Sequence, residues 1–145
     1  MTSSQQSLLN LLKIGKLKAE PPGQNELNGL VTAAERRLRD AENPALSPDS
    51  RFSLGYDAAH SLALAALRWH GYRTENRYMV FQALQHTLSF SAPKWRFLDN
   101  CHQKRNIVLY DGDLIEDEPL IKELIVMTKE LLLAVKALGP INRSE

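Results

Sequence analysis

The residues in this chain best suited to chemistry sit together in the run Asp99-Asn100-Cys101-His102-Gln103-Lys104-Arg105-Asn106-Ile107-Val108-Leu109-Tyr110-Asp111-Gly112. Leu98, Cys101, Arg105 and Val108 follow one another at spacings of three, four and three, which is the seam of an amphipathic helix. Arg105 thus places a permanent charge where an apolar residue belongs. A buried guanidinium needs a carboxylate, a ring of carbonyls, a second subunit or an anionic ligand, because desolvating it alone is costly. His102, Asn106 and Tyr110, each four apart, form a polar line beside it. A cation, an amide, an imidazole and a phenol can together hold a phosphate and hydrogen-bond a sugar or base. The same four groups can equally satisfy one another inside a helical bundle.

Helical geometry constrains the set further. Positions five apart on an ideal helix are rotated by about 140°, so Arg105 and Tyr110 cannot converge from one straight helix. One solution is a two-fold dimer in which Arg105 of one copy and Tyr110 of the other border a shared cleft. Local unwinding before Gly112 is the competing solution.

The elements that position these groups are helical throughout, and no useful length of chain alternates like a strand. An all-α, up-and-down antiparallel bundle of five to six helices is expected. Ser4 is the expected cap of a short first helix ending near Gly15, and Lys16 to Gly23, with Pro21-Pro22, reads as a linker. Residues 1–23 are accordingly expected to be a peripheral or mobile helix and linker ahead of the bundle proper, residues 24–145. Leu27, Leu30, Val31, Ala34, Leu38 and Ala41 stripe the first long helix. Ser47-Pro48-Asp49 marks the start of the next, with Phe52, Tyr56, Ala59, Ala63, Ala66 and His70 on its inner face and Gly71 at its end. The small residues Gly55, Ala58, Ala59, Ala63, Ala65 and Ala66 would let another helix approach closely, making this the central helix. A helix from about Asn76 to Leu88 follows, then one opening at Ser91-Ala92-Pro93 that carries the Arg105 region. A last helix starts around Asp117 to Pro119 and ends at Gly139-Pro140.

The totals limit the function classes. With 145 residues, 43% of them hydrophobic, the chain is the size of one domain and needs neither metal nor disulfide to build a core. Cys101 is the single cysteine and lies on a helix seam, so it reads as a buried structural thiol in a reducing compartment. No basic segment followed by an apolar run opens the chain, and no stretch approaches the roughly 20 apolar residues of a membrane span. A cytoplasmic protein without membrane partners is expected. The net charge of +1, from 18 basic and 17 acidic residues, gives no global attraction to nucleic acid, so any RNA contact is local. Arg36-Arg37-Leu38-Arg39 reads as a solvated helix face flanked by Glu35, Asp40 and Glu42. His60 and His70 read as helical polar residues or as satisfied core rings, and no metal or cofactor is expected.

The segment Leu98 to Gly112, followed by the acidic turn Asp113 to Glu118 and a long apolar terminal helix, resembles the HEPN family, named for nucleotide binding in higher eukaryotes and prokaryotes. The run Gly55-Tyr56-Asp57-Ala58-Ala59-His60-Ser61-Leu62-Ala63-Leu64-Ala65-Ala66-Leu67-Arg68-Trp69-His70-Gly71 is similar to the alanine-rich long helix of small bacterial HEPN proteins. The resemblance spans about Glu26 to Leu138. It implies a bundle that dimerises about a two-fold axis, with both arginine motifs facing one cleft, and in many members a metal-independent ribonuclease. The family signature is an arginine, a polar residue after it and a histidine four to six residues on. Arg105 and Asn106 match, whereas Tyr110 stands where a histidine would. A phenol with a pKa near 10 is ionised in about one molecule in a thousand at neutral pH, so Tyr110 is a poor substitute base. His102, two turns earlier, is the alternative proton carrier. Some family members pair with small nucleotidyltransferases as toxin and antitoxin, with a modifiable tyrosine at the position that Gly112 occupies here.

Two readings follow. In the first, a dimeric HEPN-like protein binds RNA or a nucleotide, Arg105 and Asn106 gripping phosphate and Tyr110 stacking on a base. In the second, Arg105 pairs with a carboxylate such as Asp57 or Asp99, and the dimer is a non-catalytic module presenting a surface to another protein.

Overall fold

The computed structural model describes residues 2–141, apart from the side chains of Val108, Leu109 and Tyr110. The chain is an all-α helical bundle with one minute two-stranded sheet. Its elements in order are α1 (Ser3–Lys13), β1 (Lys18–Ala19), α2 (Gln24–Ala41), α3 (Pro48–Trp69), β2 (Tyr72–Arg73), α4 (Arg77–Gln82), α5 (Leu84–Thr87), α6 (Ala92–Asp111) and α7 (Glu118–Ala137). The single helix expected from Asn76 to Leu88 is split into α4 and α5 at Ala83. Among the described residues no helix is long and apolar enough to cross a membrane.

Local chemistry explains the boundaries. Thr2, not Ser4, caps α1: its hydroxyl accepts from the Gln5 amide at 3.1 Å while the Gln5 side chain accepts from the Thr2 amide at 2.8 Å. Pro48 opens α3 at a position where no amide is needed. Asp117 caps α7 by accepting from the Leu120 amide at 3.0 Å. Gly112 closes α6 at φ +74°, a conformation that side chains disfavour. Because α6 runs unbroken to Asp111, unwinding before Gly112 does not bring position 110 round to Arg105.

Helix α3 is the axis of the molecule. Phe52, Tyr56, Ala58, Ala59, Leu62, Ala63, Ala65 and Ala66 are all buried, against α2 on one side and α7 on another. A Cβ added to Gly55 would stand 3.2 Å from Cδ2 of Leu124, so this glycine sets how closely α3 and α7 approach.

The expectation of a peripheral or mobile amino-terminal segment is corrected. Leu8 and Leu17 are buried with Leu67, Met79 and Ala83 in a second apolar cluster. The supposed linker forms antiparallel pairs, Lys18 with Arg73 and Ala19 with Tyr72. It is also held by Arg68, the deepest cation described. Its Nε donates to Glu26, Nη1 donates to the Glu20 and Tyr72 carbonyls, and Nη2 donates to the Pro21 carbonyl beside the Glu20 carboxylate. Proline carbonyls and a short strand lack helical partners, so a guanidinium with several donors satisfies them.

Candidate functional site

Three elements build the cluster: α3 supplies Tyr56, Asp57 and His60, α4 supplies Arg77 and Tyr78, and α6 supplies Asp99, His102, Arg105 and Asn106. On α6, Leu98 and Cys101 are fully buried, and burial pushes the Cys101 thiol up to about 12. One turn later the seam reaches Arg105, whose side chain is 18% exposed. Its Nη1 donates to Oδ1 of Asp57 at 2.7 Å, and its guanidinium carbon lies 5.2 Å from the Tyr56 ring centroid. Of the two carboxylates the sequence offered, Asp57 takes the arginine.

Tyr56 is the hub. Its buried ring lies about 6 Å, centroid to centroid, from His60, Phe81 and His102, and its hydroxyl is 2.8 Å from Nδ1 of His102. The ring of Tyr78 stands edge-on to His102 at 5.3 Å. Asn106 lies with its amide 3.4 Å from Nε2 of His102, so two of the three residues in the predicted polar line touch. The Tyr110 side chain, the third, lies outside the described residues.

Charges around the hub decide where protons reside. Burial pushes the Tyr56 phenol above its usual pKa, opposed by a hydrogen bond from Arg77 and the fields of Arg77 and Arg105. The phenol therefore keeps its proton. Arg77 can only donate to the phenol oxygen, which still has a lone pair for Nδ1–H of His102 as well as a proton to give, so the Tyr56–His102 bond is compatible with either ring tautomer. The Asn106 amide nitrogen stands 3.4 Å from Nε2 of His102, the arrangement in which Nε2 accepts. Burial and then Arg77 push His102 below the ordinary imidazole range, and the same two causes lower His60 to about 4. Burial raises the pKa of Asp99, against the field of His102.

The cluster is incomplete within one chain. Among the described residues four buried side-chain polar atoms lack a hydrogen-bond partner, and three of them belong here: Nε of Arg105, Nε2 of His60 and Oδ1 of Asp99. Buried polar groups in folded proteins are nearly always paired with protein or ordered water, so three such atoms in one neighbourhood call for a water, a ligand or a second surface. A cleft of about 230 Å³ lies between α6 and the start of α7, lined by Lys104, Ile107, Leu114 and Ile115 together with Asp113, Glu116 and Asp117, and none of the three orphaned residues lines it. Among the described residues no three His, Cys, Asp or Glu side chains gather to hold a metal ion.

Sequence reasoning found Arg105, His102, Asn106 and Asp57. It passed over Tyr56 as an ordinary core residue, His60 as a structural histidine, and Arg77 and Tyr78 altogether. The available signal was Tyr56-Asp57 followed by His60 in an otherwise alanine-rich helix, since Tyr56 and His60 at a spacing of four share one face. The basic run on α2 remains mostly a solvated face, with Arg37 reaching the Ser61 hydroxyl at 3.3 Å. No protein-family profile, curated protein or solved structure matches this chain.

Proposed function

We propose that this chain is a HEPN-like helical protein that binds RNA or a nucleotide through the face of α6 carrying Arg105 and Asn106. In this reading it is a cytoplasmic homodimer, serves a toxin–antitoxin or defence system, and cleaves RNA weakly or not at all. The observation that carries the reading is Nε of Arg105: a guanidinium N–H that is buried, without an acceptor, and next to an Nη1 already committed to Asp57. An oxyanion complements such a donor, because carboxylate and phosphate oxygens accept charge-assisted hydrogen bonds about twice as strong as neutral ones. Low nuclease activity follows from His102. With Nδ1 tied to Tyr56 and Nε2 facing the Asn106 amide, neither ring nitrogen is free for a ribose hydroxyl.

Fluorescence anisotropy of labelled RNA at low salt tests the reading, with Arg105→Ala as the contrast. Wild-type protein is expected to bind, and the variant to bind about tenfold more weakly with a salt slope shallower by about one. Absence of RNA and nucleotide binding at modest salt overturns the reading. Following the same RNA on a gel in chelator-containing buffer reports any cleavage.

One observation favours the second reading, a non-catalytic interaction module: Arg105 has its carboxylate, Asp57, inside its own chain at 2.7 Å. If that reading holds, Arg105→Ala leaves RNA behaviour unchanged and instead releases a protein partner, such as one of nucleotidyltransferase type, that co-purifies with the wild-type chain.

A further inference from the structure

Helix α7 turns to solvent an apolar line that no described residue covers. Val126 and Leu133, seven residues apart and so on one face, are 66% and 69% exposed, and the exposed Pro119 and Ala137 lie on the same line. Each edge of the line carries charge of one sign. Lys122, Lys129 and Lys136 run along the edge towards α2, where Lys129 meets Glu42 at 2.8 Å and Lys136 meets Glu35 at 2.9 Å. Glu123 and Glu130 run along the edge towards α6, where Glu130 meets Lys94 at 2.7 Å. Scattered exposed apolar residues are ordinary, but two in heptad register between a basic and an acidic edge have the pattern of a helix-pairing seam.

The charge pattern selects both the occupant and its direction. Two α7 helices meeting antiparallel on this line, about a two-fold axis, would set lysine edge against lysine edge and glutamate edge against glutamate edge. Meeting parallel, about a two-fold along the helix, each lysine edge faces the glutamate edge of the other copy. Glu42 and Lys129 of one copy, followed by Glu130 and Lys94 of the other, then form a row of alternating sign, and the symmetry repeats it on the far side. We propose that this face of α7 binds a second copy of the chain in parallel, Val126 against Val126 and Leu133 against Leu133. In that arrangement α6 of one copy lies across from α2 of the other, so the two Arg105 faces stay apart. The inference rests on the homodimer of the reading above but on no contact with RNA. One helix face is small for an interface, so the dimer is weak and reversible.

Sedimentation equilibrium of the full chain from about 10 μM to about 1 mM tests for the dimer, and Val126→Lys is expected to weaken it about tenfold or more. Charge exchange tests the edges. Lys129→Glu and Glu130→Lys are each expected to weaken self-association, and an equimolar mixture of the two to regain it, because only the mixed pair again sets opposite signs against each other. Disulfides test the direction. Cys101 is buried, so a thiol introduced on the line is the reactive one. Val126→Cys and Leu133→Cys are each expected to give a linked dimer alone on mild oxidation. Positions 126 and 133 stand about 10 Å apart along the helix, beyond the roughly 7 Å that a disulfide spans, so mixing the two should give no 126–133 link. All four altered positions are exposed, so the changes leave the core intact. A 126–133 link as the main product means antiparallel packing and overturns the proposal. A dimer unchanged by Val126→Lys, or not restored in the charge-exchange mixture, overturns it too, and either result leaves the homodimer standing on another face. A monomer at every concentration overturns both the interface and the homodimer and gives the line to a different protein, with RNA binding still decided by its own assay.

Discussion

Replacing Arg68 with methionine should remove about 3 kcal/mol from the unfolding free energy. Methionine retains much of the apolar stem, so the perturbation is loss of the guanidinium rather than of volume. The two carboxylates left behind, Glu20 and Glu26, are 48% and 43% exposed and return to water at little cost. The carbonyls of Glu20, Pro21 and Tyr72 decide the magnitude, because each loses a donor at 3.0 to 3.1 Å. An unsatisfied carbonyl costs about 1 to 3 kcal/mol where water cannot reach it; Glu20 and Pro21 are exposed and Tyr72 is half-buried, so the lower end applies and the three together come to about 3 kcal/mol at most. Release of the segment 16–23 limits the loss, since it rehydrates the carbonyls but exposes Leu17, whose burial is worth about 2 kcal/mol.

Urea unfolding followed by circular dichroism measures the global change, which corresponds to a fall in Tm of about 10 °C for a chain of this length. Hydrogen exchange at the Glu20 amide, which donates to the Gly71 carbonyl at 3.0 Å, reports whether the segment opens first. A hydrogen bond from Arg68 is the largest cause holding Glu26 below the ordinary carboxylate range. Its stabilisation is present above the unfolded pKa and lost as pH falls through the folded one, so the variant should show a shallower loss in acid. A change below about 1 kcal/mol with unchanged Glu20 protection would refute the account.

Other perturbations probe the site and the core. Tyr56→Phe leaves Nδ1 of His102 without its hydrogen-bond partner and is expected to cost about 1 to 3 kcal/mol, and nitrogen NMR should show the single His102 tautomer of the wild type becoming a mixture; a single unchanged tautomer would contradict the role of the pair. His60, lowered by burial to about 4 against an unfolded value of 6.5, takes up its proton far more readily when unfolded, so stability should fall by about 3 kcal/mol between pH 7 and pH 4 on its account. Denaturation of folded His60→Gln across that range should show a shallower dependence, and an identical slope would rule out the buried neutral ring. Gly55→Val, forced against Leu124, is expected to cost about 1 to 3 kcal/mol in thermal unfolding, whereas Gly55→Ala should stay within about 1 kcal/mol, because better helix propensity offsets a contact that a side-chain end can relax; the reverse ranking would refute the packing.

The long helices were legible because their signals are local. The stripe from Leu27 to Ala41 and the Ser47-Pro48 start both report the state of a few neighbouring residues, and both coincide with the observed α2 and α3 within a residue or two. The role of Lys16 to Gly23 was not legible, since two prolines mark a break in helix but say nothing about a guanidinium from α3 that gathers the freed carbonyls. Periodicity found Arg105 because it stands out among apolar residues on a seam. Arg68 escaped because it is one charged residue near the end of a long helix, where solvent exposure is the ordinary outcome. The same limit hid Tyr56 as a hub: its spacing signals core, and only the packing of α4 and α6 against α3 reveals that the core at that point is polar.

Arg68 and Arg105 together show why the incomplete cluster, rather than the buried one, is the place to look for function. Both arginines meet carboxylates, Arg68 on α3 and Arg105 on the helix packed against it. Arg68 is the more deeply buried, yet every nitrogen of its guanidinium has a partner within the chain. Folding alone accounts for it. Arg105 is more exposed and still leaves Nε enclosed without an acceptor, in company with Nε2 of His60 and Oδ1 of Asp99. Each such atom costs about 1 to 3 kcal/mol in the isolated chain, and methionine or leucine at position 105 would continue the apolar seam without that cost. A chain able to satisfy Arg68 so fully has the means to satisfy Arg105. Leaving it open makes physical sense only if the missing partner arrives from outside, and opposite the guanidinium that partner must offer an acceptor.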